Sequence, residues 1–185
     1  TGTFFACEQE GVAPDLLCAA KGITGGYLPL AVTLTNQKLF DAFLGEFEEK
    51  KTFFHGHSYT ANQLGCAAAL ASLEIFRKER VLQTIRARAR TLDALLQKLW
   101  KLPQVGDIRR VGLIAGIELV RDWRTRRPYR WEERVGWHVC EIAKKHGVLS
   151  RPIGSILVIM PPYCITDGQL EQICDSMAEG IRRVC

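Results

Sequence analysis

The sequence has no apolar run of the roughly 20 residues needed to cross a bilayer, and it has no secretory signal pattern. We therefore expect a cytoplasmic protein with no membrane partner. The seven cysteines include no C-x-x-C pair and no zinc-finger spacing. His55 and His57 alternate as in a strand, but no third ligand accompanies them. The sequence thus predicts reduced thiols and no metal site.

The sequence also lacks a large excess of charge of one sign. The 25 basic and 20 acidic residues give a net charge of +5, spread along the chain. The densest basic cluster, RDWRTRRPYR at 121–130, lies among Trp, Pro and Tyr residues typical of a loop. No nucleic-acid-binding motif accompanies it, so we expect a solvated loop and no nucleic-acid partner. With 47% hydrophobic residues, the chain can build a core.

Two short apolar runs lie in the first 35 residues. DLLCAA at 15–20 and YLPLAVTLT at 27–35 are typical of buried parallel strands. Between them lie Gly22, Gly25 and Gly26, which favour a turn. The first part of the chain is therefore expected to be α/β.

The next segments predict helices. Residues 36–44 have helical spacing, and residues 51–63 predict a strand end followed by a polar loop. A longer helix is expected to begin near Thr60 or Ala61. Its many small residues favour burial on more than one face.

The second half predicts an α+β arrangement, because helices and short strands follow one another without a strict βα alternation. Residues 81–100 form an amphipathic helix pattern. Two strands are predicted over 105–120, a helix over 132–147, two strands over 148–163 and a final helix over 166–184, N-capped at its first or second residue.

Lys21 is the one charged residue in LLCAAKGITGGYLPLAVTLT, residues 16–35. It stands where the first strand ends, and ligands of open α/β sheets bind beyond the carboxyl ends of strands. A partly desolvated amine can form a Schiff base with an aldehyde or ketone. The alternative is a lysine whose ammonium simply reaches solvent, and position alone favours that alternative.

Four segments resemble a known family. TGTFFACEQEGVAPDLL at 1–17, the segment 16–35, KTFFHGHSYTANQLGCAAALASLEIF at 51–76 and SRPIGSILVIMPPY at 150–163 are similar, in the same order, to the class III aminotransferases. The similarity is greater still to those family members that make 7,8-diaminopelargonic acid in biotin biosynthesis. The resemblance implies fold type I and the cofactor pyridoxal phosphate.

By this resemblance, Lys21 binds the cofactor aldehyde through its amine. Once a substrate amine displaces it, Lys21 would act as the base that moves a proton between the substrate α-carbon and the cofactor C4′ carbon. A positioned amine beside an electron-withdrawing cofactor suits that role.

The loop HGHSYT, residues 55–60, corresponds to the family segment that binds the cofactor phosphate. Ser58 would donate its hydroxyl to the phosphate, beside His57, where some relatives have Pro. The following helix N-terminus would favour an anion. Alternatively, Ser58 and Thr60 serve only as N-cap candidates. Gly56 matches a position where the backbone approaches the substrate, and in the family this loop reaches the partner's cofactor, which implies a homodimer with a shared active site.

Arg151 occurs where the family has an arginine that binds the distal carboxylate of the substrate. A planar guanidinium suits bidentate carboxylate recognition. The alternative is an arginine exposed at a strand edge.

The resemblance also implies a longer protein. The family's aspartate for the pyridine nitrogen lies upstream of the position of Thr1, so we expect a C-terminal part that is inactive alone. The predicted fold is α/β: residues 1–78 are the C-terminal part of a fold-type I large domain that binds pyridoxal phosphate, 79–104 a connecting helix, and 105–185 a small α+β domain.

The expected reaction is transamination of 8-amino-7-oxononanoate to 7,8-diaminononanoate, with S-adenosylmethionine or lysine as the amine donor. One alternative is another class III aminotransferase that acts on an ω-amino acid or a diamine. The other is a catalytically silent fragment that serves only dimer assembly.

Overall fold

The computed structural model describes residues 1–185, and the chain divides into two units, Phe5–Val81 and Leu82–Cys185 together with Thr1–Phe4. Both units mix helix and sheet, as the predicted α/β class requires. The strands and helices, in chain order, are β1 (Leu16–Ala20), β2 (Ala31–Thr35), α1 (Gln37–Asp41), α2 (Gln63–Lys78), α3 (Val81–Leu99), β3 (Val105–Val111), β4 (Ile114–Asp122), β5 (Arg127–Pro128), α4 (Val135–Lys145), β6 (Pro152–Ile153), β7 (Ile156–Ile159) and α5 (Asp167–Val184).

Strands β1 and β2 of the first unit form an antiparallel pair, with Leu16 opposite Thr35 and Ala20 opposite Ala31. The prediction of parallel buried strands was wrong. Residues 21–30 form a turn that is too short for the crossover of a dozen or more residues that parallel strands need. The side chains are exposed or half-buried, because this chain supplies no layer that covers the pair.

Helix α2 begins at Gln63, later than the predicted start at Thr60 or Ala61. Ala61 has a φ of +57°, which is not helical, and Asn62 is the N-cap. The predicted strand end at residue 51 is also absent, since residues 51–57 contain no regular structure.

The expectation that α2 is buried on more than one face was wrong within this chain. Its fully buried residues are Gly65 and Ala69, and the 3-10 turn Lys21–Thr24 contacts this helix. The remaining apolar side chains of α2 find no covering element, and the large exposed ones are Leu64, Leu70, Leu73 and Ile75.

The second unit is built on an antiparallel sheet of order β3-β4-β7-β6, with β5 beside β4. Gly112, with a φ of +58°, allows the tight turn between β3 and β4. The two strand pairs predicted over 105–120 and 148–163 are both present. They place Arg151 directly before β6.

The core lies in the second unit. Helix α3 buries the apolar stripe that its sequence predicts, and α4 contacts both α5 and the strands β6 and β7. Helix α5 begins at a capping box in which Thr166 accepts from the N–H of Gln169. The largest fully buried side chains are Leu92, Leu96, Ile117, Leu119, Val139, Leu157, Leu170, Met177 and Ile181.

No helix is both long enough and apolar enough to span a bilayer.

Candidate active site

Lys21 directly follows β1 and begins the 3-10 turn Lys21–Thr24. Its side chain is exposed, and its ammonium makes no ion pair or hydrogen bond. Its backbone has a φ of +53°, in the left-handed region that residues other than glycine rarely occupy. The structure therefore presents one unpaired primary amine at the carboxyl end of β1.

The turn after Lys21 is held by hydrogen bonds. The hydroxyl of Thr24 donates to the carbonyl oxygen of Leu28 at 2.6 Å, and the N–H of Gly25 donates to the carbonyl oxygen of Gly22 at 3.0 Å. Gly25 and Gly26 have φ values of +63° and +84°, which reverse the chain so that β2 returns beside β1.

The loop at 55–60 carries three hydroxyl groups, those of Ser58, Tyr59 and Thr60. The N–H of His57 donates to Oγ1 of Thr60 at 2.9 Å, and the N–H of Tyr59 donates to Nδ1 of His57 at 3.1 Å. Ser58 is exposed, and its hydroxyl has no partner. The hydroxyl of Ser58 is thus wholly available to an anion, whereas the oxygen of Thr60 already accepts one hydrogen bond and keeps only its proton to donate.

Asn62 is the N-cap of α2, so the alternative that Ser58 or Thr60 caps this helix was wrong. Oδ1 of Asn62 accepts from the N–H groups of Leu64 and Gly65, at 3.0 and 3.2 Å. An asparagine directly before an apolar helical run is a signal that the sequence did contain.

The two predicted cofactor segments lie on elements that touch. The Lys21–Thr24 turn contacts α2, the helix that follows the 55–60 loop. A Cβ added to Gly65 would lie 3.6 Å from the carbonyl oxygen of Pro29 and 3.6 Å from Cβ of Leu30. Pro29 and Leu30, which follow the turn, therefore pack against the first turn of α2.

Arg151 belongs to the second unit, where it precedes β6 and is exposed, with no ion pair. It lines an open groove of about 500 Å³ together with Met160, Cys164 and Gln169. The hydroxyl of Ser150 donates to the carbonyl oxygen of Val158 at 2.9 Å and ties the residue before Arg151 to β7. The guanidinium is free to bind a carboxylate.

The free groups of the first unit fit two ends of pyridoxal phosphate. An aldehyde needs an unpaired amine, which Lys21 supplies, and a phosphate needs hydrogen-bond donors, of which Ser58 supplies one. No three His, Cys, Asp or Glu side chains are grouped so that they could hold a metal ion.

Sequence reasoning missed Thr24, the one buried polar side chain of the first unit, at 2% exposure. The signal was a threonine that follows the lysine by three residues and directly precedes two glycines.

The model of the family described as "Aminotransferase class-III" matches residues 1–181. The adenosylmethionine-8-amino-7-oxononanoate aminotransferase of Nitratidesulfovibrio vulgaris is 57% identical over 98% of this chain and 33% of its own length. The protein of the same name from Geobacter sulfurreducens is 50% identical over the whole chain and 41% of its length. The chain thus spans between a third and about two fifths of these relatives.

Solved structures agree with the sequence relatives. The crystal structure of adenosylmethionine-8-amino-7-oxononanoate aminotransferase from Methanocaldococcus jannaschii matches with a TM-score of 0.92 and 45% identity, over 100% of this chain and 43% of that one. An amine transaminase from an uncultivated Pseudomonas species, solved in a PLP-bound form, matches with a TM-score of 0.88 and 34% identity. The match covers 100% of this chain and 42% of that one. Because the family model matches residues 1–181 of this chain, the chain belongs to the class III aminotransferases, and it has the fold of the C-terminal portion of a PLP-dependent transaminase.

Proposed function

We propose that this chain is the C-terminal part of an enzyme that transfers an amino group to 8-amino-7-oxononanoate and forms 7,8-diaminononanoate in biotin biosynthesis. The 57% and 50% identity to relatives with that named activity supports the substrate. The observation that carries the chemistry is the unpaired amine of Lys21 on a hydrogen-bonded turn at the end of β1.

The proposed cofactor is pyridoxal phosphate. When bound, it supplies an aldehyde that takes up the amino group and a ring that withdraws electrons from the neighbouring carbon. Lys21 would hold it by its amine, and Ser58, with His57 beside it, would donate its hydroxyl to the phosphate of the cofactor that the partner subunit holds. The free hydroxyl of Ser58 supports this role, because it requires no existing bond to be broken.

Lys21 is also the proposed proton carrier. When the substrate amine replaces it, its neutral amine can accept the proton from the substrate α-carbon and return it to the C4′ carbon of the cofactor. Lys21 has no ion-pair partner, so no carboxylate holds its amine away from the substrate.

Arg151 and Gly56 are the proposed substrate residues. The guanidinium of Arg151 would bind the carboxylate of the keto acid through two parallel hydrogen bonds, which its exposed position before β6 permits. At Gly56, an added Cβ would meet one atom within 4 Å, Oγ1 of Thr60 at 3.9 Å, so the backbone is open to a ligand.

The same proposal includes the oligomeric state, the cellular location, the domain boundaries and the amine donor. The enzyme would be a cytoplasmic homodimer in which the 55–60 loop completes the partner's site. Residues 1–78 would belong to its large domain, 79–104 to a connecting helix and 105–185 to its small domain. The proposed donor is S-adenosylmethionine, named in the relatives' activity, and lysine is the alternative.

Lys21→Ala in the full-length protein tests the central role. We expect a loss of transamination of about 10³-fold or more, together with loss of the absorbance change that pyridoxal phosphate shows on binding a lysine amine. Lys38→Ala, which removes an exposed lysine of α1 in the same unit, is the control. It should keep both the transamination activity and the absorbance change. Ordinary turnover by Lys21→Ala would refute the assignment.

A second candidate is a class III aminotransferase that acts on an ω-amino acid or a diamine. A structural match favours it: an (S)-enantioselective ω-transaminase from Thermomicrobium roseum gives a TM-score of 0.89 at 29% identity. Comparing kcat/KM for 8-amino-7-oxononanoate with that for simple ketone and aldehyde acceptors separates the two. The same assay, with S-adenosylmethionine and lysine supplied in turn, identifies the donor.

The 185-residue chain by itself would be a silent piece that serves only assembly if it neither binds pyridoxal phosphate nor turns over. We expect it to be inactive alone, and adding pyridoxal phosphate while recording the absorbance tests this directly.

A further inference from the structure

We propose that Thr24 is a positioning residue for Lys21, and that its hydroxyl fixes the backbone from which the lysine amine projects. This inference rests on the proposed role of Lys21. It assigns a function to the one polar side chain that the first unit buries.

The hydroxyl of Thr24 joins the two ends of the turn. Its oxygen lies 2.6 Å from the carbonyl oxygen of Leu28 and 3.4 Å from that of Lys21. A hydroxyl has one proton to donate, so the shorter contact is the principal bond, and the longer one is a weak second contact. Both acceptors are backbone atoms, so the side chain acts directly on the course of the main chain.

The Lys21 backbone needs such a constraint. Its φ of +53° is a conformation that a residue with a Cβ adopts at a cost and keeps only where the surroundings hold it. The φ of a residue also sets the direction of its Cα–Cβ bond. A Lys21 that relaxed to a negative φ would therefore aim its amine elsewhere, with its chemistry unchanged.

Burial makes the Thr24 bond hard to replace. The side chain of Thr24 is 2% exposed, so removing its hydroxyl takes away the side-chain donor to the Leu28 carbonyl from inside the turn. The neighbouring backbone bond, from the N–H of Tyr27 to the carbonyl oxygen of Thr24, is long at 3.3 Å. The bond from the N–H of Gly25 to the carbonyl oxygen of Gly22 is shorter, at 3.0 Å, but neither of these two bonds reaches Leu28.

Thr24→Val in the full-length protein removes the hydroxyl and keeps the shape. We expect kcat to fall by about 10- to 100-fold, while KM for the keto acid and the content of bound pyridoxal phosphate stay within about twofold of wild type. Thr24→Ser restores the hydroxyl and should recover kcat. If Thr24→Val does not fold, the pair Thr24→Ala and Thr24→Ser makes the same comparison.

Thr35→Val is the matched control, because the hydroxyl of Thr35 also donates to a backbone carbonyl of the same unit, that of Asp15, at 3.0 Å. It should leave kcat unchanged. The inference would be overturned if Thr24→Val kept the wild-type kcat, or if Thr24→Ser did not restore the kcat lost in Thr24→Val. In either case Lys21→Ala would still be inactive, and the proposed function would stand. Ordinary activity in Lys21→Ala would instead overturn the proposed function itself.

Discussion

Side chains of the candidate site differ in whether their polar atoms are already used. Lys21, Ser58 and Arg151 have free polar groups, whereas His57 and Thr60 bond to the backbone of their own loop. A ligand can recruit a free group without breaking a bond. The first three residues thus have no role within the fold to give up, whereas His57 and Thr60 also help to hold the loop.

Arg151→Lys is expected to weaken recognition of the keto acid. A lysine keeps the charge but loses the two parallel hydrogen bonds of a guanidinium, so KM for 8-amino-7-oxononanoate should rise about tenfold. Affinity for pyridoxal phosphate should not change, because the proposed ligand of Arg151 is the substrate carboxylate and not the cofactor. Arg126→Lys, another exposed and unpaired arginine of the second unit, is the control. Equal loss of cofactor binding would contradict the role.

Among the elements, those predicted correctly bury a surface that this chain itself covers. The apolar stripe of α3 and the N-cap of α5 at Thr166 agree with the structure, since both follow local rules of helix formation. Strands β1 and β2 were placed correctly, but their direction was not, because an apolar run does not reveal its partner. The exposure of α2 was missed because small and apolar residues along a helix likewise do not show which element covers them.

Two helical glycines should respond oppositely to alanine. In α2, a Cβ at Gly65 would have its nearest neighbours at 3.6 Å, which is ordinary contact, so Gly65→Ala should stabilise the protein by about 0.5–1 kcal/mol. In α5, a Cβ at Gly180 would lie 2.8 Å from the carbonyl oxygen of Val139 in α4, so Gly180→Ala should destabilise it by about 1–3 kcal/mol.

Urea unfolding of the two variants beside wild type measures both changes in the free energy of unfolding. The packing argument would fail if Gly180→Ala were as stable as wild type, or if Gly65→Ala were destabilised as strongly as we expect for Gly180→Ala.

Across the whole molecule, burial is uneven between the two units. The fully buried large side chains all belong to the second unit, whereas Phe5–Val81 buries only Thr24, Gly65 and Ala69. Since apolar burial is the main favourable term in folding, most of the stability of this chain resides in Leu82–Cys185. The first unit carries the candidate lysine on a scaffold with little core of its own.

This distribution gives stability a defined dependence on pH. Burial raises the pKa of the Cys174 thiol from 9.0 to about 12, and it also raises that of Cys140. Burial is likewise the main cause that raises the pKa of Tyr129 to about 12. As pH rises above 9, these groups lose protons in the unfolded chain before they do so in the folded one. The folded state therefore loses stability progressively towards pH 12, and below pH 9 the Cys174 contribution is fully present.

Urea unfolding at about pH 8 and about pH 10, followed by tryptophan fluorescence, measures this loss. We expect a lower free energy of unfolding at the higher pH. Each group ionised only in the unfolded chain contributes up to about 1.4 kcal/mol per pH unit. Cys174→Ala should make the decline shallower, because it removes one such group, whereas Cys66→Ala, at an exposed thiol, should not. An identical decline in wild type and Cys174→Ala would show that the buried thiol does not cause it.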